Sequence, residues 1–288
     1  MSKKPSGEAP SGTSEAKKAK GPSWIVTLRA EPPLIAGKLL GALCLFLLHV
    51  LWWFVTTGDI VEERMVSPTV LPSPVEVYGA LPGLYTDWGL PEGIAATLKR
   101  VFIGFGLSCA VGISFGILAG SWRALHAFVA PLVLFGRSLP LAALIPLTVM
   151  WFGIDDQQKV MFIFIATLPF IFSDTAAAVM SVHQRYVDTA ETLGASRFQI
   201  IRKVLVPLAM PNVFTSVRFL FGLGFGYIML AEVINAKAGL GHMITISQKR
   251  AKIENIYLLL IIIGMLAYFI DRAMVWFHRG LFPYRSDV

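Results

Sequence analysis

The chain is short of charge, of cysteine and of any motif that would hold a nucleotide or a metal, and each shortage excludes something. Charged side chains make up 15% of its 288 residues against 55% hydrophobic, with a mean hydropathy of +0.66. Soluble globular domains carry about 25% charge, so a soluble fold is excluded. No G-x-x-x-x-G-K-[ST] occurs, so the chain lacks a phosphate-cradling loop and is not expected to be an enzyme that hydrolyses ATP. Gly222, Gly224 and Gly226 lie in an apolar run with no strand before them, which rejects a dinucleotide fingerprint. His49, His126, His183, His242 and His278 are scattered with no i, i+4 pair, and no nucleophile with a recognisable partner is visible. No metal, cofactor or catalytic residue is expected. Cys44 and Cys109 both fall in apolar runs, which argues against a disulfide or redox role.

What is present is apolar length. Six runs, approximately 34–55, 101–120, 128–152, 160–180, 213–234 and 257–277, are long enough to cross a hydrocarbon core of about 30 Å as helices. The expected fold is an all-α polytopic membrane protein with about six transmembrane helices over 31–288, preceded by a tail over 1–30. The tail's first 22 residues are rich in Lys, Ser, Gly and Pro and should be disordered. The first apolar run is of spanning length and begins only near Leu34, unlike a cleaved signal. With the N-terminus cytoplasmic, fifteen Lys and Arg fall inside and eight outside, which favours both termini in the cytoplasm and a plasma (inner) membrane location. The net charge of +7 is then mostly topology, and nucleic acid is not an expected partner.

The outer loop over 57–98 contains Pro68, Pro72, Pro74, Pro82 and Pro91, which predicts extended or turn structure without a long helix. In the second run Gly104, Ser108, Gly112, Gly116 and Gly120 recur every four residues and form one small-residue face, suited to close helix packing or to lining a conduit. Pro131, Pro140 and Pro146 predict a kinked or broken third span, placed inside the assembly. No internal repeat is visible, unlike a carrier built from inverted halves.

Between the fourth and fifth runs the chain turns polar, over about 181–212. Residues 181–205 read SVHQRYVDTAETLGASRFQIIRKVL, with a break at Gly194 and Phe198, Ile201, Val204 and Leu205 at spacings of three and four. Two short amphipathic helices are predicted, resting on lipid head groups or on a protein partner. Asp188, Thr189 and Ala190, then Gly194 after three residues, then Pro207 and Pro211, resemble the E-A-A-x-x-x-G loop of ATP-binding cassette importer permeases of type I, although Asp188 and Thr189 stand where Glu and Ala are usual. SLPLAALIPLTVMWFGIDDQQKV from Ser138 and AEVINAKAGLGHMI from Ala231 are similar to segments of the branch for nitrate, sulfonate, taurine and bicarbonate, and the likeness covers about residues 65–280.

The resemblance implies a translocation subunit for a small anion. Asp188, Thr189, Ala190, Leu193, Gly194 and Ala195 would form the coupling helix on a cytosolic ATPase, with Pro207 and Pro211 in the first turn of the fifth span. It further implies a second copy of the chain and a periplasmic or lipid-anchored solute-binding protein as partners. The alternative is an ion-coupled carrier or channel acting without an ATPase. Arg137, Asp174 and Arg218 lie within spans at similar depth and are expected either to pair with one another or to line the path. Glu232, near the outer end of the fifth span, is a gate, a fold-locking residue or a capped helix end.

Overall fold

The computed structural model describes residues 28–29, 32–58 and 64–283, apart from the Asn235 side chain. Most of the tail expected to be disordered lies outside them. Among the described residues the chain is helical throughout: α1 (Leu34–Val55), α2 (Pro74–Gly79), α3 (Leu81–Thr86), α4 (Leu90–Ser121), α5 (Arg123–Ser138), α6 (Leu141–Phe152), α7 (Asp156–Met180), α8 (Gln184–Thr192), α9 (Arg197–Ile200), a π-helical turn (Ile201–Leu205), α10 (Val206–Asn235), α11 (Leu240–Lys249) and α12 (Ile253–Leu281). Five segments are long and apolar enough to span a membrane, namely α1, α4, α7, the run through α9 into α10, and α12; the pair α5 and α6 makes a sixth if counted as one broken span. α1 forms one unit, with none of its residues buried, and Thr56 onward forms another.

The second unit is organised around α4, α7 and α10, whose Phe105, Phe162, Ile163, Ile171, Phe225 and Ile228 share one buried cluster. The small-residue face of α4 is what lets α7 approach. A methyl group on Gly104 would lie 2.6 Å from the Val160 carbonyl oxygen, and one on Gly116 would lie 2.7 Å from the Thr175 Cβ and 2.9 Å from the Phe172 carbonyl oxygen. Ser108 donates to the Phe164 carbonyl at 2.9 Å and accepts from the Thr167 hydroxyl at 2.8 Å, so the face is also pinned by hydrogen bonds. The face is thus used for packing within the chain, not for a conduit.

One expectation is corrected here. Prolines in the 57–98 loop start helices instead of excluding them: Pro74, Pro82 and Pro91 stand in the first turns of α2, α3 and α4, where the missing N–H is not needed. α2 is further fixed by a capping box between Ser73 and Glu76. The third apolar run is broken, as its prolines predict, with α5 and α6 meeting at 101° across Leu139 and Pro140.

Candidate functional site

The connection between α7 and α10 is a turn with regular caps on both sides. α8 closes with the Ala195 N–H donating to the Ala190 carbonyl at 3.0 Å and the Gly194 N–H to Glu191 at 2.9 Å, the paired bonds of a Schellman motif. This pattern needs a left-handed residue at its end, and Gly194 supplies it at φ +77°. Ser196 and Gln199 then form a capping box that starts α9. Asp188 accepts from the Gln184 amide at 3.0 Å, and Thr189 donates to the Arg185 carbonyl at 2.7 Å, so both polar groups are satisfied inside α8. Leu193 and Phe198, on either side of the turn, are 81% and 70% exposed, an apolar tip with no cover among the described residues. Behind it, a cavity of about 550 Å³ separates α8 and α9 from the ends of α4, α5 and α7.

From α9 the chain continues helically through the π turn into α10. Because α10 begins at Val206, earlier than expected, only Pro207 falls in its first turn. Pro211 stands inside the helix, its carbonyl accepting from the Thr215 hydroxyl at 3.0 Å.

The charges within spans do not pair as expected. Arg218 of α10 holds Asp271 of α12 with Nε at 2.5 Å and Nη2 at 2.9 Å, a two-pronged bridge whose members are 32% and 46% exposed. Arg137 of α5 donates through Nη1 to the Ser173 hydroxyl at 2.7 Å and lies 5.1 Å from the Phe170 ring centroid. Asp174 forms a salt bridge with neither arginine; it borders Ser216 of α10 and feels Arg137 only through space. The mutual pairing of Asp174 with Arg137 or Arg218 is therefore overturned, because Asp271 offers Arg218 a closer two-oxygen partner and Ser173 takes the Arg137 donor.

At the opposite end of the bundle Glu232 is 0% exposed. Its carboxylate accepts from the Thr97 hydroxyl at 2.9 Å, from Arg100 Nη1 at 2.6 Å and from the Gly241 N–H at 3.0 Å. Arg100 in turn reaches Asp156 with Nη2 at 2.6 Å and the Ala238 carbonyl at 2.7 Å. One guanidinium thus ties α4 to the start of α7, to α10 and to the loop before α11. Of the readings open for Glu232, the geometry matches the residue that locks the fold.

Arg100 is one of the eight cations that the charge tally places outside, and Thr97, Asp156 and Asp271 carry no expectation. One signal pointed to the first two. Extending the small-residue face backwards from Gly104 passes through Arg100, Thr97 and Gly93, all buried. Nothing comparable marks Asp271, which is 53 residues from its partner.

Residues 112–283 match the family described as binding-protein-dependent transport system inner membrane component. The taurine transport system permease protein TauC of Escherichia coli (strain K12) is 29% identical over 85% of this chain and 89% of that protein. The bicarbonate transport system permease protein CmpB of Synechococcus elongatus is 32% identical over 68% of this chain and 70% of that protein. Among solved structures, an inward facing conformation of the MetNI methionine ABC transporter superposes with a TM-score of 0.59 over 67% of this chain and 96% of that one, at 24% identity, a likeness of fold.

Proposed function

The chain belongs to the family of binding-protein-dependent transport system inner membrane components and is a multi-pass permease of an ATP-binding cassette transporter; on that premise we propose that it forms the translocation path of an importer for a small anion. The segment Gln184–Leu205 receives the stroke of a cytosolic ATPase, on which ATP hydrolysis takes place. A solute-binding protein delivers the substrate on the opposite face. The taurine and bicarbonate relatives support an anionic substrate, and the Lys and Arg bias supports cytoplasmic termini in a plasma membrane. The apolar tip at Leu193 and Phe198 is the observation that carries the coupling assignment, since an exposed pair of this kind on a capped, rigid turn fits insertion into a protein groove. From there α9, the π turn and α10 form one helical run that carries displacement to Glu232.

A second copy completes the path. The small-residue face of α4 is occupied by α7 and offers that copy no surface. What supports a second copy instead is the set of polar groups left open at span depth, Arg137 and the half-exposed bridge of Arg218 with Asp271. An ion-coupled carrier acting alone is not favoured by the family.

The test is co-purification with a cytosolic ATPase partner. The pair Leu193→Asp and Phe198→Asp changes only exposed side chains, so the permease should insert and remain monodisperse while losing the ATPase. Retention of the ATPase at wild-type stoichiometry would remove the coupling assignment.

A further inference from the structure

The two span arginines differ in a way the permease reading does not use. Arg218 is neutralised by Asp271, whereas no carboxylate lies within ion-pair distance of Arg137 among the described residues. Arg137 stands 14 residues into α5, about 21 Å along its axis. An unpaired guanidinium at such depth must face water, protein or a counter-ion, because lipid is among the costliest places for it. Its Nη1 is engaged by Ser173, and Asp174 is turned to Ser216. Its Nε and Nη2 meet no acceptor among the described residues, and these form the same edge with which Arg218 grips the two oxygens of Asp271.

A cavity of about 180 Å³ lies between α5 and α7, lined by residues that include Arg137, Ser173, Phe172, Val133 and His126. His126 also borders the larger cavity behind the coupling turn, where Arg123 and Arg197 form part of the wall. Cationic or titratable side chains therefore stand along α5 from Arg137 to the end of the bundle that carries α8. A water molecule takes about 30 Å³ of liquid, so the smaller cavity holds an ion of four to six heavy atoms and little else.

The geometry points to Arg137 and Ser173 as a binding subsite for a small oxoanion within the translocation path. Two oxygens of the anion sit on the Nε and Nη2 edge, which matches them in plane and spacing. The Ser173 hydroxyl, accepting from Arg137, donates its own proton to a third oxygen. The subsite rests on the permease reading and adds where in the path the anion is held and by which groups. Arg218, already neutralised, takes no part.

The test uses the detergent-purified complex of permease and ATPase, melted in sodium nitrate, sodium bicarbonate or sodium ethanesulfonate at ionic strength matched with sodium chloride. At least one oxoanion should stabilise the wild type saturably. Its apparent affinity should fall at least tenfold in Arg137→Gln, several-fold in Ser173→Ala, and not at all in Lys99→Gln, which removes an exposed cation elsewhere on α4. Wild-type affinity in both Arg137→Gln and Ser173→Ala overturns the subsite, as does an ATPase-bound wild type that responds to no oxoanion. A lower melting temperature or loss of the second copy in anion-free Arg137→Gln also overturns it, since Arg137 would then pair across copies. Failure of the wild type to retain any ATPase would instead sink the permease reading, and the subsite with it.

Discussion

Arg100→Met removes the cation that donates to the fully buried Glu232 and leaves a carboxylate without its ion pair. Removing one partner of a buried pair costs about 3–5 kcal/mol. Thr97 and the Gly241 N–H continue to donate to Glu232, and Lys159 remains within its electrostatic reach, so the cost belongs near the lower end, about 3 kcal/mol. Glu232→Gln is the milder change. It keeps the shape and leaves Arg100 with Asp156 and the Ala238 carbonyl, so about 1–2 kcal/mol is expected. The double variant should stand close to Glu232→Gln alone, because no buried charge is then unmatched. At roughly 2–4 °C per kcal/mol, Arg100→Met should melt about 6–12 °C below the wild type, with about a third to two thirds of that loss recovered in the double variant. Tryptophan fluorescence melts of the purified chain, checked by size exclusion, read this directly. If the double variant melts as low as the two single losses added together, the two charges do not compensate each other and the locking role is wrong.

Gly116→Val should destabilise the packing of α4 on α7 by at least 1–3 kcal/mol, since even a methyl group there would lie 2.7 Å from Thr175 and 2.9 Å from a backbone oxygen; the loss of monodisperse protein on heating measures it. Gly241→Ala should loosen the Glu232 cluster, because its Cβ would fall 2.7 Å from the Glu232 Cβ and 2.9 Å from the Met229 carbonyl oxygen, and proteolysis in the 236–239 loop should quicken. Asp271→Asn should cost no more than about 1 kcal/mol in the same melts, because the bridge is half open to its surroundings.

The spans were legible because apolar length is a local signal, and their ends were not. Hydropathy sees only the part of a helix that lipid would cover, so α4 was expected to start at 101 although it begins at Leu90, and α10 at 213 although it begins at Val206. The turn at Gly194 was legible almost residue by residue, since its break and the amphipathic spacing beside it depend on neighbours in sequence. The charge partners were not: Arg100 and Glu232 are 132 residues apart, and depth alone cannot choose Asp271 over Asp174 for Arg218. Proline density in the 57–98 loop misled for a related reason. It says where a helix interior cannot be, and three of those prolines stand at helix starts.

That the turn at Gly194 transmits the work of an ATPase is tested most directly by solute-stimulated ATP hydrolysis of the complete reconstituted complex carrying substitutions at this residue. A Cβ at position 194 meets nothing within 4 Å, so the chain itself has room and only the positive φ and the partner surface object. Gly194→Asn, which tolerates the left-handed conformation and stays small, should retain most of the stimulation. Gly194→Arg, with the membrane fold intact by size exclusion, should abolish it either by losing the ATPase or by leaving hydrolysis indifferent to solute. Wild-type stimulation and transport in Gly194→Arg would contradict the account, and residues 184–205 would then be a surface element resting on lipid.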